Sequence, residues 1–117
     1  MDSEEITVAW LKTFAGDWSV SGNKPKETPD KYITVDRAGG PRVAMVLDAA
    51  QILIEVYHKS SRKTAKDKAN EIADRITELK AYSDDITIAE INSVTHVPDL
   101  ITGYERYQVY CDIAHRR

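Results

Sequence analysis

Three histidines, one cysteine and two pairs of adjacent carboxylates are the side chains in this sequence best suited to acid–base, nucleophilic or metal chemistry. His58, His96 and His115 lie far apart, and none sits in an H-x-x-x-H or C-x-x-C spacing that would bring a second ligand onto the same face. All three are expected to be solvated. Cys111 is alone and can form no internal disulfide. It falls between Val109 and Ile113 in an alternating run, so it is expected to act as a small buried hydrophobe, not a nucleophile. The pairs Glu4-Glu5 and Asp84-Asp85 are sequence neighbours, whereas an acid–base pair needs two carboxylates held in different environments. A helix start and a turn account for them more simply. There is no Gly-x-Ser-x-Gly elbow, P-loop or dinucleotide-binding glycine turn, and Gly39-Gly40 alone cannot cradle a phosphate. With no acid, base and nucleophile set to name, an enzyme is not expected, nor a metal or cofactor.

Recognition chemistry is better represented. Tyr104 to Ala114 alternates strictly, with Tyr107, Val109, Cys111 and Ile113 on one face and Tyr104, Arg106, Gln108, Tyr110 and Asp112 on the other. Tyrosine and arginine are enriched at protein interfaces. Tyr104, Arg106, Gln108 and Tyr110, together with Lys24 and Lys26 from a proline-rich stretch, are therefore the candidate contact surface for a subunit or partner. The competing expectation is a solvated sheet face, or one covered by the first helix through Trp10 and Phe14. Arg62, Lys63, Lys66 and Lys68 form a basic cluster where the helix dipole does not favour it, a mild hint of a partner surface. Asp67, Glu71 and Asp74 interrupt it, which is the pattern of a solvated helix face.

The elements that would carry these residues follow from periodicity. Ser3 to Phe14 reads as a helix, with Ser3 as N-cap, Glu4 and Glu5 in the first turn, Ile6, Trp10 and Phe14 four apart, and Gly16 past the end. Asp17 to Asp30 holds Gly22, Pro25 and Pro29 and reads as a loop, with a short extended piece at Trp18 to Val20; Asn23 to Pro29 is expected to be mobile. Strands are expected at Lys31–Asp36, Arg42–Leu47 and Gln51–His58, the first two joined by an Ala-Gly-Gly-Pro-Arg turn. Ser60 to Lys80 reads as one long amphipathic helix, capped by Ser60 or Ser61, with Ala65, Ala69, Ile72, Ile76 and Leu79 on its apolar stripe. A turn at Asp84-Asp85, a strand over Ile86–Val94, a loop over Val97–Gly103 and the final strand complete the chain. The expected fold is α+β: a mixed, mainly antiparallel sheet with an N-terminal helix and one long helix packed on it, in the order α-β-β-β-α-β-β.

The chain has 117 residues, the ordinary size of one domain, and a single domain over 1–117 is expected. It is 42% hydrophobic and 30% charged, which is globular. A formal net charge of −3 argues against nucleic acid as the main ligand. The acidic N-terminus lacks a basic segment followed by an apolar one, so no signal peptide is expected, and no apolar run approaches the roughly 20 residues that span a bilayer. A soluble protein made in a cytoplasm is expected.

From Val35 onward, V-D-R-A-G-G-P-R and then V-L-D at residues 46–48 resemble the tail terminator, or tail completion, proteins of long non-contractile-tailed bacteriophages, especially those of actinobacterial hosts. So does V-P-D-L-I-T-G-Y-E-R-Y-Q-V-Y-C-D-I at residues 97–113, where the P-D-x-x-[ST]-G-x-x-R-Y spacing is the most specific part. The resemblance covers roughly residues 5 to 115 and departs over Asn23 to Pro29, where an Arg-Pro step is expected. It implies a structural virion protein: a ring, usually of six subunits, that caps the tail tube and stops its polymerisation. Its implied partners are further copies of itself, the major tail tube protein and the head-side connector or head-closure protein, with DNA only passing through the lumen and no membrane. Rival expectations are another neck component, such as a head-closure or minor capsid protein, and a small ligand- or RNA-binding α+β domain.

Overall fold

The computed structural model describes residues 2–23, 25, 29–39 and 47–116; for Leu47 and Asp48 it describes the backbone alone. The first helix, α1 (Ser3–Lys12), is capped by Asp2 and not by Ser3. Asp2 Oδ1 accepts from the Glu5 amide at 2.9 Å, and Glu5 Oε1 accepts from the Asp2 amide at 3.4 Å, so two amides that the helix leaves without partners are satisfied reciprocally. Ser3 is released to point inward. The helix stops at Lys12, two residues earlier than its apolar spacing indicates. The Thr13 and Phe14 amides turn back to Trp10 and Leu11, and Gly16 takes a φ of +63°, which glycine adopts without strain.

Among the described residues five strands follow in the sheet order β1-β2-β3-β5-β4: β1 (Ser19–Ser21), β2 (Lys31–Gly39), β3 (Leu47–His58), β4 (Ile86–His96) and β5 (Glu105–Arg116). β1 runs parallel to β2, and every other pair is antiparallel. The sheet is thus mixed and mainly antiparallel, as expected. The boundaries before the second helix differ from those read in the sequence. Leu47 does not end one strand ahead of another at Gln51; β3 runs unbroken through Asp48, Ala49 and Ala50, because Ala49 and Ala50 lie opposite Ala114 and Ile113 of β5. The remainder of the strand expected at Arg42–Leu47, and Gly40 to Arg42 of the turn before it, lie outside the described residues, as do Lys24 and residues 26–28 of the loop expected to be mobile.

The long helix divides. α2 (Arg62–Asp74) is capped by Ser61, whose hydroxyl accepts from the Thr64 amide at 3.1 Å, and α3 (Glu78–Tyr82) follows after a tight turn. Between them, the Ile76, Glu78 and Leu79 amides donate to carbonyls three residues back. β-branched Ile76 and Thr77 are weak helix formers, and the turn places the Arg75 guanidinium 3.9 Å from the Phe14 ring centroid while Arg75 pairs with Glu71 and Glu78. The apolar stripe survives the break: Ala65, Ala69, Ile72, Ile76 and Leu79 are all buried.

The three helices among the described residues all cover one face of the sheet. Ile6, Trp10 and Leu11 of α1 and the α2–α3 stripe join Ile33, Val35, Ile52, Ile54, Val56, Val109, Cys111 and Ile113 in a single core. α1 therefore does not cover the outward face of β5, and Trp10 and Phe14 pack on the opposite side. Among the described residues, no helix is long and apolar enough to cross a membrane.

Candidate assembly interface

Strand alternation places a second set of residues on the face that no helix among the described residues covers: Tyr32, Thr34 and Asp36 from β2, Gln51, Leu53, Glu55 and Tyr57 from β3, Arg106, Gln108, Tyr110 and Asp112 from β5, and Ile88, Glu90, Ser93 and Thr95 from β4. The four candidate residues of the last strand are all brought here, with Tyr104 just before β5, but they do not act alike. Tyr104 turns inward. Its ring lies 5.9 Å from that of Tyr32, and its hydroxyl donates to the Pro29 carbonyl at 3.0 Å. Arg106 Nε donates to the Val97 carbonyl at 2.9 Å, and its Nη1 lies 3.5 Å from Glu55 Oε2. Gln108 Nε2 donates to the same Glu55 oxygen at 3.2 Å. Tyr110 lies opposite Leu53 on one side and Ser93 on the other, half-buried, and its hydroxyl makes no hydrogen bond among the described residues. Tyr104 and Arg106, expected as part of a contact surface for a subunit or partner, thus have internal roles instead. Gln108 is anchored through Glu55, which leaves Tyr110 as the outward anchor. Lys24 and Lys26 lie outside the described residues.

Sequence reasoning missed the inner half of this face. Tyr32 and Tyr57 face each other across β2 and β3 and stack at 4.3 Å with an interplanar angle of 11°. Tyr32 is fully buried, and its hydroxyl has no hydrogen-bond partner among the described residues. Only the register of the β2–β3 pairing could have revealed the pair, and that register is set across the sheet rather than within either strand.

The other chemistry-bearing residues have local structural work. His115 is buried, its Nδ1 2.7 Å from Ser3 Oγ; His96 Nε2 is 2.7 Å from Glu105 Oε2; His58 Nδ1 accepts from the Ser60 and Ser61 amides. The expectation of solvated histidines is corrected for His115, which is buried; His58 and His96 stay partly exposed, the first held by the two serine amides just after it and the second by Glu105 from β5. In the basic cluster, Lys63 pairs with Asp67 and Lys68 pairs with Glu71, so half of its four charges are answered by carboxylates, and Arg62 Nε donates to the Tyr107 hydroxyl. Partial burial raises the Glu4 carboxyl above its usual pKa, and the carboxylates of Asp2 and Asp36 add to the shift. Among the described residues, no three His, Cys, Asp or Glu side chains gather as a metal ion would require.

Cys111 is the small buried hydrophobe that alternation indicated. Burial pushes its thiol up from 9.0 to about 12, with the Asp112 carboxylate adding a smaller push, and burial likewise raises the Tyr32 and Tyr57 phenols. These groups are neutral in both states below about pH 9; above that, the unfolded chain releases protons that the folded chain keeps. Stability is therefore expected to be full below about pH 9 and to fall toward pH 12, by at most about 1.4 kcal/mol per pH unit for each group. Urea midpoints measured from about pH 7 to about pH 11 check this, and a curve that stays flat to the alkaline end contradicts the burial of the thiol.

Compared with models of protein families and with curated proteins, the chain matches none of them.

Proposed function

We propose that this protein is a structural component of a virion that works by assembling with copies of itself into a closed ring, as a tail terminator. In this reading the ring, of six subunits, sits on the end of the tail tube, stops its polymerisation and offers a joining surface to the head-side connector. One observation carries the assembly part: among the described residues the helices cover a single face of the sheet, and the other face carries the half-buried Tyr110 and Leu53 and the exposed Ile88. The resemblance at residues 35–42 and 97–113 carries the terminator part. A net charge of −3 is compatible with a lumen that lets DNA pass without gripping it.

RNA binding is the less supported alternative. That chemistry needs exposed rings beside free basic groups. Here Tyr32 is fully buried, Tyr57 is 7% exposed, and Arg106 lies against Glu55. Deleting the gene from its phage separates the two neck roles. Loss of a terminator gives overlong or unfinished tubes; normal tails beside unjoined heads would mean head closure instead.

A further inference from the structure

We propose that the turn between β4 and β5 is a plug that inserts into a depression at the far end of the open sheet face of a second copy of this chain. The proposal rests on the assembly reading above and names the contact that would build it.

The plug is a well-tied loop. The Asp99 amide donates to the Tyr104 carbonyl at 3.0 Å, and the Gly103 amide donates back to the Asp99 carbonyl at 2.8 Å. Asp99 Oδ1 accepts from the amides of Ile101 at 3.1 Å and Thr102 at 3.4 Å. Gly103 closes the turn at a φ of +80°, in the left-handed region where a side chain would be strained. These bonds use the polar groups of the loop on each other. They leave Leu100 92% and Ile101 96% exposed at the tip. Turn tips ordinarily carry Gly, Pro, Asn, Asp or Ser, so two adjacent large aliphatics held outward are a departure that solvent does not reward.

The depression lies at the other end of the same face, between the starts of β3 and β4 and the end of β5. Ala49, Gln51, Ile88, Asp112 and Ala114 line a hollow of about 140 Å³. An apolar cavity of about 150 Å³ takes a benzene-sized group, so this one has room for a single leucine or isoleucine side chain. Ile88, 45% exposed, offers an apolar rim to the second. The plug cannot fill its own socket: from Tyr104 to Ala114 the strand advances roughly 3.3 Å per residue, about 33 Å in all. Tyr110, the outward anchor of the candidate interface, lies on the strand between plug and socket, so docking the two makes one continuous surface. One plug and one socket at opposite ends of a face form a head-to-tail contact, which repeats and closes into a ring when the rotation between copies allows.

Two experiments on the full chain test this. The double variant Leu100→Asp, Ile101→Asp changes only exposed side chains and should keep the wild-type circular dichroism spectrum. Its self-association should weaken roughly thirtyfold or more, the loss expected of an interface hot spot. Separately, Ile101→Cys chains mixed with Ala49→Cys chains under mild oxidation should give a disulfide-linked heterodimer in preference to either homodimer, with buried Cys111 not competing. If the aspartate variant assembles like wild type and the mixed cysteine chains do not join, the plug is overturned while the ring reading stands. The plug is also overturned if the aspartate variant loses binding to tail tube protein but self-associates normally. If the mixed chains join but the assembly closes at two copies, the plug stands and the six-membered ring falls. A wild-type chain that stays monomeric defeats both.

Discussion

Replacing Ile72 with aspartate is expected to lower the stability of the folded chain by about 3–5 kcal/mol, the cost of leaving an uncompensated charge in a core. Ile72 has no exposed surface and sits in the middle of the stripe that holds α2 on β3 and β5, with Ala69 and Ile76 beside it. The aspartate must stay ionised in an apolar site, take up a proton at neutral pH, or pull α2 off the sheet, and each costs free energy. Domains of this size have roughly 5–15 kcal/mol in total, so a large part of the stability would go, and the melting temperature should fall by about 4 °C per kcal/mol lost. Ile72→Val, which removes only a methylene group, should cost about 1 kcal/mol and serves as the control. An unchanged melting temperature for the aspartate variant would rule out this packing of α2.

The second large effect separates two residues that the sequence groups together. Arg106→Ala is expected to destabilise the fold by about 1–3 kcal/mol, because it leaves the Val97 carbonyl without its side-chain donor and the largely buried Glu55 carboxylate without its cation, with Gln108 still donating to it. Tyr110→Ala should leave thermal stability close to wild type and instead weaken assembly, since the outward edge of that ring faces no internal partner among the described residues. Thermal melts paired with light scattering on each single variant check this. If Tyr110→Ala lowers the melting temperature as much as Arg106→Ala, Tyr110 belongs to the folding core. If it melts and assembles like wild type, that part of the face is only solvated.

The contrast marks how far the sequence was legible. Alternation along β5 separated Tyr107, Val109, Cys111 and Ile113 from their neighbours correctly, because burial on one side of a strand leaves a period-two imprint in the strand itself. The stripe from Ala65 to Leu79 was legible for the same reason at helical spacing. The break at residues 75–77 was not, since the stripe continues across it and Arg75 in the tight turn meets a tertiary partner, Phe14 from the turn after α1, as well as its local partner Glu78. Asp48, Ala49 and Ala50 read as a gap between strands because their β-propensity is low, yet pairing with β5 carries β3 through them. Asp2 displaced Ser3 as helix cap because Glu5 completes a reciprocal pair with it, while Ser3 meets His115 from the far end of the chain. The outward face followed the same division. Its membership could be read from one strand, but which members would turn inward depended on Tyr32, Glu55, Pro29 and Val97, all supplied by other segments. Leu100 and Ile101 were visible only as part of a loop, and nothing in a loop's sequence says which way its side chains point.

The claim on which the rest depends is that the protein assembles with itself, and the most direct test is its molar mass in solution by light scattering, taken together with negative-stain images of the same sample. The expected result is a mass at a small integer multiple of the 13.2 kDa chain, six for the proposed ring, with images of rings that have a central hole. A mass that stays at one chain across the accessible concentration range, with no rings in the images, would contradict it.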